Sequence, residues 1–274
     1  MEKNINNLYK LQMKKVFIKN RKNLKIAVLV DKTKNQKGLV FVMHGLSGCK
    51  EHEPIVTIAK SFKDKNFTVI RFDTTNTYGE SDGNYENATL TNYYKDLEDV
   101  INWAKTQKFY KEPFVLSGHS FGGICTLLYA EKYPKKVLAI APISTVIYGK
   151  LSVKANKERD AKRFANWKKT GWLETKSESK PGLIKRLPWS HMQDRLKYDV
   201  LKKVHKLTMP VLLIVGENDI STPKEQIQML FDKLPEKREL HIIKNAPHTF
   251  RDKKHLQEIK KLFLHWINSL NKTI

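Results

Sequence analysis

Short apolar runs alternate with amphipathic segments along most of the chain. Mainly apolar runs predict strands at 15–19, 24–30, 38–43, 67–72, 114–116, 137–141, 211–215 and 240–243. Apolar residues with helical spacing predict helices at 53–65, 90–106, 125–132, 222–234 and 253–270. Strands that alternate with helices predict an α/β fold in which helices cover both faces of a mostly parallel sheet.

Three of the predicted strands have features that place them in this sheet. Four polar residues, 20–23, separate the first two strands and suit a hairpin turn, so we expect this pair to form an antiparallel edge. The strand at 38–43 is apolar throughout, as is typical of a strand that is buried on both faces. The predicted sheet therefore has its first hairpin at one edge and its buried parallel strands towards the middle.

The alternation stops at residues 143–206, where no strand-like run occurs. We therefore predict that residues 1–142 and 207–274 form the α/β core and that residues 143–206 form a basic helical lid. This segment has seventeen Lys and Arg against six Asp and Glu, and it contains three of the five tryptophans, Trp167, Trp172 and Trp189. Such a lid could touch a membrane surface, but the pattern favours tryptophans packed onto the core and lysines in water.

The chain of 274 residues carries a formal net charge of +23. This charge would attract nucleic acid or anionic lipid, but the lysines are scattered and no aromatic–basic motif occurs, so no specific nucleic-acid partner is predicted. The first residues are polar and unlike a signal peptide, and no apolar run reaches the ~18–20 residues of a membrane helix. Two cysteines, Cys49 and Cys125, make no disulfide framework. A cytoplasmic protein with reduced thiols is the expectation.

The first candidate for chemistry is Ser120, in the pattern Gly-x-Ser-x-Gly from Gly118 to Gly122. The pattern lies between a predicted strand and a predicted helix, where a sharp turn leaves little room for neighbouring side chains. Such a turn strains the apex residue and exposes its hydroxyl, and the helix start behind it favours developing negative charge. Acyl transfer through a serine nucleophile requires both features.

A serine hydroxyl needs a base and an acid that orients the base, and both are expected after later strands at the same sheet edge. Asp219 follows the strand at 211–215, and His248 follows the strand at 240–243. The chain order Ser120, Asp219, His248 is the order expected when the nucleophile lies on such a strand-to-helix turn, which we call the elbow. Glu217 is the competing acid. Of the other eight histidines, six lie in the elbow, in or beside residues 143–206, in a strand or in the last helix, and His44 and His52 lie in loops.

The tetrahedral intermediate of acyl transfer also needs backbone donors. The loop His44-Gly-Leu-Ser-Gly48 follows the strand at 38–43 and therefore lies at the same sheet edge. We predict that the N–H groups of Leu46 and Phe121 form the oxyanion hole. His44, Gly45 and the lid at 143–206 are the candidates for substrate binding.

Together these motifs resemble the α/β-hydrolase superfamily over residues 24–270. They are His44-Gly-Leu-Ser-Gly48, Gly118-His-Ser-Phe-Gly-Gly123, Gly216-Glu-Asn-Asp219 and Ala246-Pro-His248. Residues 41–54 and Gly79-Glu-Ser-Asp-Gly83 are similar to cinnamoyl/feruloyl esterases and serine-aminopeptidase-like hydrolases. The resemblance implies an eight-stranded core sheet, no cofactor or metal, and hydrolysis of a carboxylic ester through an acyl-serine. Asp73-Thr-Thr-Asn-Thr-Tyr-Gly79 departs from the Gly-x-Gly that relatives carry there.

The leading hypothesis is a serine esterase that acts on a small-molecule ester with a small to medium acyl group. A peptidase or amidase with the same three residues is the alternative, and it would have to protonate an amine leaving group. Thioesterase and acyltransferase activities use the same groups and remain open. A basic nucleic-acid or membrane-surface binder on a hydrolase scaffold is disfavoured, as is a dehalogenase or epoxide hydrolase, which would have aspartate in place of Ser120.

Overall fold

The computed structural model describes residues 13–177, 182–235 and 237–270. The strands are β1 (Met13–Lys19), β2 (Lys25–Asp31), β3 (Gly38–Met43), β4 (Phe67–Phe72), β5 (Phe114–His119), β6 (Val137–Ile143), β7 (Trp172–Lys176), β8 (Ile184–Pro188), β9 (Val211–Gly216) and β10 (Arg238–Ile243). The helices are α1 (Glu53–Lys63), α2 (Leu90–Ala104), α3 (Phe121–Lys132), α4 (Gly149–Arg159), α5 (Ala161–Thr170), α6 (Trp189–Arg195), α7 (Lys224–Lys233) and α8 (Lys253–Leu270). Parts of the predicted core and lid, 1–12, 178–181, 236 and 271–274, lie outside the described residues.

Eight strands form one sheet in the order β1-β2-β4-β3-β5-β6-β9-β10. The six strands from β4 to β10 in this order are parallel, whereas β2 pairs antiparallel with both β1 and β4. The predicted α/β fold, the eight-stranded, mostly parallel sheet and its antiparallel edge hairpin are confirmed. Because parallel strands end at the same edge, the loops after β3, β5, β9 and β10 converge there.

Two hydrophobic clusters cover the two faces of this sheet. In β3, Val40 and Val42 pack into one cluster with α1 and α8, while Leu39, Phe41 and Met43 pack into the other with α2 and α3. All six residues of β3 are buried, which explains why its sequence is apolar throughout. None of the helices in the described ranges is long and apolar enough to cross a membrane.

The segment between β6 and β9 differs from the prediction of a strand-free, purely helical lid. Its described residues include α4, α5 and α6, but also an antiparallel hairpin of β7 and β8, which pairs Trp172 with Pro188. Each strand has five residues, and Leu173 and Leu187 alternate with exposed, mostly charged side chains. Such short, polar strands lack the apolar run by which the other strands are recognised. We call residues 143–206 the insertion.

The tryptophans of the insertion have different surroundings. Trp167 is buried and packs edge-to-face against Trp189 and Phe164. Trp172 is 38% exposed, with the guanidinium group of Arg186 4.5 Å from its ring centroid. Two of the three tryptophans therefore contribute to packing, while Trp172 presents an aromatic face at the surface.

The loop after β4 is fixed by a buried ion pair. Lys50 and Asp73 are both fully buried, and Nζ of Lys50 lies 2.8 Å from Oδ2 of Asp73 and 2.6 Å from Glu80. The backbone N–H of Lys50 also donates to Asp73. The same loop donates from the N–H of Thr74 to Nε2 of His44. The Lys50–Asp73 ion pair and the hydrogen bond from Thr74 to His44 therefore connect the loop after β4 to the loop after β3.

Candidate active site

The turn between β5 and α3 places Ser120 at its apex. Ser120 has φ 55° and ψ −112°, a strained backbone conformation for a residue with a side chain. A Cβ at Gly118 would lie 2.5 Å from the carbonyl carbon of Gly122, and one at Gly122 would lie 2.7 Å from the carbonyl oxygen of His44. Both positions therefore require glycine, and the sharp turn that they allow holds the serine hydroxyl at the sheet edge.

The three residues predicted to act together are in hydrogen-bond contact. Nδ1 of His248 lies 2.8 Å from Oδ2 of Asp219, and Nε2 of His248 lies 3.0 Å from Oγ of Ser120. Because a carboxylate can only accept, Nδ1–H donates to Asp219, which leaves Nε2 of a neutral ring free to accept the serine proton. The arrangement has the hydrogen-bond order of a serine nucleophile, its base and an orienting acid.

The carboxylate of Asp219 is buried and fully hydrogen-bonded. It accepts hydrogen bonds from His248 and from the backbone N–H groups of Ser221 and Thr222, and from the Thr222 hydroxyl. Burial raises the pKa of Asp219, but these hydrogen bonds and the His248 ring outweigh it and hold that pKa at about 2. The competing acid, Glu217, instead accepts from the N–H of Asn245. Asp219, not Glu217, is therefore the carboxylate that contacts the His248 ring.

His119 contributes a contact that the sequence did not indicate. Its Nε2–H donates to the carbonyl oxygen of His248 at 2.8 Å, and the two ring centroids are 4.8 Å apart. Burial, together with the His248 ring, lowers the pKa of His119 to about 3, so it is neutral. A neutral ring next to the elbow thus fixes the backbone of the loop that carries His248.

The predicted oxyanion residues, Leu46 and Phe121, line the same cavity as Ser120 and His248. The loop after β3 lies directly against the elbow, since a Cβ at Gly45 would be 3.0 Å from Cβ of Ser120. The assignment of the two N–H groups to an oxyanion stays a prediction. His44 is fully buried and its Nδ1–H donates to the carbonyl oxygen of Gly45, so it supports this loop from behind.

Two cavities meet at Ser120 and His248. The inner cavity has a volume of about 220 Å³ and extends under α4, α5, α6 and the hairpin of the insertion. The outer cavity has a volume of about 820 Å³ and lies between the loop after β3, the start of α1 and β7. Gly45 lines the outer cavity. The predicted contribution of the insertion to substrate binding is consistent with its residues lining both spaces, and it stays a prediction.

The sequence did not single out His191 and Arg195, which line the inner cavity. His191 stacks on Phe121, with centroids 5.4 Å apart, and its Nδ1–H donates to the carbonyl oxygen of Ala88. His191 and Arg195 are four residues apart, so their side chains lie on the same face of α6. Nothing in the sequence shows which face of α6 meets the cavity, because the path of the insertion depends on tertiary packing. No group of three or more metal-binding side chains occurs within the described residues.

The free energy of unfolding is expected to fall as the pH falls from about 7 towards 4, because His44, His119 and His191 are buried and neutral. Burial lowers the pKa from 6.5 to about 4 for His44, and burial with the charge of Arg195 lowers it to about 3 for His191. Only the unfolded chain binds these protons just below pH 6.5. Each stabilising contribution is complete above pH 6.5 and declines below it by about 1.4 kcal/mol per pH unit.

Urea unfolding at several pH values measures this decline. His191→Gln removes one of these three titrating groups, so its stability should decline less steeply than that of the wild type, by about 1.4 kcal/mol per pH unit. Equal slopes for the two proteins would contradict the assignment of His191 as a buried neutral group.

Comparison with known proteins identifies the class. A sequence model of the alpha/beta hydrolase fold family matches residues 38–186, more than half of the chain. The chain belongs to this family, as the motifs at the sheet edge predicted, and the protein is therefore an alpha/beta hydrolase.

Particular relatives include a thioesterase and an esterase. The chain is 26% identical over 206 residues to the mouse palmitoyl-protein thioesterase ABHD10, mitochondrial, in a match that covers 72% of this chain and 63% of that protein. The solved structure of mouse ABHD10 matches with a TM-score of 0.76 at 21% identity, covering 94% of this chain and 99% of that chain. Est1E from Butyrivibrio proteoclasticus, with ferulic acid bound, matches with a TM-score of 0.76 at 20% identity and the same coverage. At these identities the structural matches demonstrate the fold.

Proposed function

We propose that this hydrolase cleaves carboxylic esters through an acyl-serine intermediate on Ser120. The observation that carries the proposal is the continuous hydrogen-bond chain from Asp219 through His248 to the Ser120 hydroxyl, with distances of 2.8 and 3.0 Å. A serine at a strained strand-to-helix turn, an imidazole within hydrogen-bond distance and a buried carboxylate behind it form the group that acyl transfer requires.

The first half of the proposed reaction transfers the acyl group to the protein. Nε2 of His248 takes the proton from Oγ of Ser120 as Oγ attacks the carbonyl carbon of the ester. The resulting oxyanion accepts hydrogen bonds from the N–H groups of Leu46 and Phe121, and Asp219 stabilises the charged imidazolium. The intermediate then collapses, the bond to the alcohol oxygen breaks, and His248 returns its proton to that oxygen.

The second half releases the acid. Nε2 of His248 takes a proton from water as the water oxygen attacks the acyl carbon. The bond between that carbon and Oγ of Ser120 then breaks, and His248 gives the proton back to Oγ. The products are a carboxylic acid and the regenerated serine, so the cycle consumes one water and needs no further reactant.

Thioester hydrolysis is the second candidate, because a relative found by both sequence and structure is named as a palmitoyl-protein thioesterase. The size of the inner cavity argues against a palmitoyl group there. At roughly 30 Å³ per non-hydrogen atom, a space of about 220 Å³ holds about seven atoms, whereas a palmitoyl group would need about 510 Å³. A long chain would have to lie in the outer cavity of about 820 Å³.

Measuring the hydrolysis of esters, thioesters and arylamides with a range of acyl groups tests the proposal. We expect kcat/KM for p-nitrophenyl esters to peak at about four to eight carbons and to fall at least about tenfold for palmitate, because the longer chain exceeds the inner cavity. Thioesters of the same acids measure the second candidate, and aminoacyl arylamides measure the peptidase alternative. Cleavage of the arylamides without turnover of esters or thioesters would overturn the proposal. A maximum at palmitate would place the acyl chain in the outer cavity.

A further inference from the structure

The charged side chains around the inner cavity are all positive among the described residues. Among the described residues that line it, three are arginines and none is Asp or Glu. Arg159 comes from α4, Arg163 from α5 and Arg195 from α6, so three separate elements of the insertion each bring a guanidinium group to one space. The outer cavity differs, since its lining includes Glu51, Glu53 and further acidic and basic residues. Arg159 and Arg163 also line the outer cavity, so the inner cavity is distinguished by Arg195 and by a described lining that has no carboxylate.

Arg195 is the most deeply placed of the three guanidinium groups. The residue is 9% exposed, and its guanidinium lies 4.4 Å from the ring centroid of Phe121, the residue next to the candidate nucleophile. Its Nη2–H donates to Nε2 of His191. Its Nε–H is buried and has no hydrogen-bond partner within the described residues. The neighbouring Asp194 carboxylate is engaged by Thr91 and Lys197 instead.

The electrostatics agree with this geometry. Burial, together with the nearby charge of Arg159, lowers the pKa of Arg195 to about 10. Burial and the charge of Arg163 lower the pKa of Arg159 in turn. A buried cation normally has a carboxylate partner, and a buried N–H normally has an acceptor. An anionic ligand in the cavity would supply both, and it would relieve the repulsion among the three arginines.

We propose that the part of the ester that enters the inner cavity ends in a carboxylate, which Arg195 binds with help from Arg159 and Arg163. This inference rests on the proposed ester hydrolysis and narrows its substrate class to half-esters or other esters with a free carboxylate. A guanidinium group can hold a carboxylate through two parallel N–H donors. With room for about seven non-hydrogen atoms, of which the carboxylate takes three, the cavity fits about four carbons between the scissile carbonyl and the carboxylate end.

Two pairs of esters test this proposal and distinguish which side of the ester carries the anion. The first pair is p-nitrophenyl hexanoate and the p-nitrophenyl monoester of adipic acid, which differ at the far end of an acyl chain of equal length. The second pair is p-nitrophenyl acetate and its ring-carboxylated analogue, which places the anion on the leaving group. We expect the wild type to prefer the anionic member of one pair by roughly 10- to 100-fold in kcat/KM, the size expected for a hydrogen bond to a charged group.

Variants connect this preference to the arginines. Arg195→Gln should remove most of the preference for the anionic ester. Arg163→Gln should reduce the preference several-fold, and the protein should still fold because Arg163 is exposed. Arg238→Gln is the matched control, because that arginine lies on β10 against Phe231 and should leave the ratio at the wild-type value. If Arg195→Gln does not fold, the wild-type ratios and Arg163→Gln still decide the question.

The outcomes separate this proposal from the esterase proposal. Turnover of the neutral esters without a preference for either anionic ester would overturn the carboxylate proposal and leave the esterase proposal standing. A preference that survives in both Arg195→Gln and Arg163→Gln would also overturn it. Absence of turnover for all four esters would count against ester hydrolysis itself, and the carboxylate proposal would fail with it.

Discussion

Replacing Ser120 with alanine is expected to lower kcat/KM for p-nitrophenyl esters by at least about 10⁴-fold. The hydroxyl is the nucleophile of the proposed reaction, and it lies 3.0 Å from Nε2 of His248, which takes its proton. The protein should still fold, because the change removes one oxygen at an 8% exposed position and leaves the backbone glycines in place. Residual turnover would come from the oxyanion donors and from binding alone.

Ser144→Ala is the matched control for this change. Ser144 is a buried serine that follows β6, and its hydroxyl has no hydrogen-bond partner among the described residues. Its loss should change kcat/KM by less than about threefold, since neutral changes away from the chemistry have small effects. If Ser120→Ala kept most of the activity, or if the two variants lost activity equally, the acyl-serine mechanism would be wrong.

The second large effect is expected for Asp219→Asn. An amide at this position would present an N–H where His248 needs an acceptor, so the ring would be held in the wrong tautomer, and kcat should fall by about 10³- to 10⁴-fold. Because Asp219 also accepts hydrogen bonds from the backbone of the turn after β9, circular dichroism and thermal unfolding must accompany the kinetics.

Glu217→Gln is the comparison that the sequence suggests, since Glu217 competes with Asp219 as the acid. The Glu217 carboxylate accepts a backbone N–H from Asn245, and glutamine can accept the same bond through its carbonyl oxygen. We expect less than about a threefold change in kcat for this variant. A larger loss for Glu217→Gln than for Asp219→Asn would reverse the assignment.

The residues at the sheet edge could be predicted from the sequence because each depends on a local rule. Gly118 and Gly122 flank Ser120 for a steric reason that holds wherever a strand turns sharply into a helix. Asp219 and His248 could be placed because each follows a buried strand, and parallel strands deliver their following loops to one edge. The structure brings all three side chains into contact, although 128 residues separate Ser120 and His248 in the chain.

The features that escaped prediction depend on packing between distant segments. The β7–β8 hairpin has charged side chains on its exposed face and is stable only where Leu173 and Leu187 meet the rest of the insertion, so its local pattern is weak. In the sequence, nothing distinguishes the residues around Arg195 from those of other helices. Its distinctive property, a buried guanidinium next to Phe121, arises from how α6 docks against the core. The ion pair between Lys50 and Asp73 also could not be predicted from the sequence, because the fold brings the two residues together.

Labelling with a fluorophosphonate, followed by digestion and mass spectrometry, tests most directly whether Ser120 is an activated nucleophile. Wild-type protein should carry one phosphonate, on the peptide that contains Ser120, and should lose ester hydrolysis in proportion to the label. Ser120→Ala should remain unlabelled, whereas Ser144→Ala should label like the wild type. Labelling of Ser120→Ala to the wild-type extent, or full ester hydrolysis by wild-type protein after exhaustive treatment, would contradict the account.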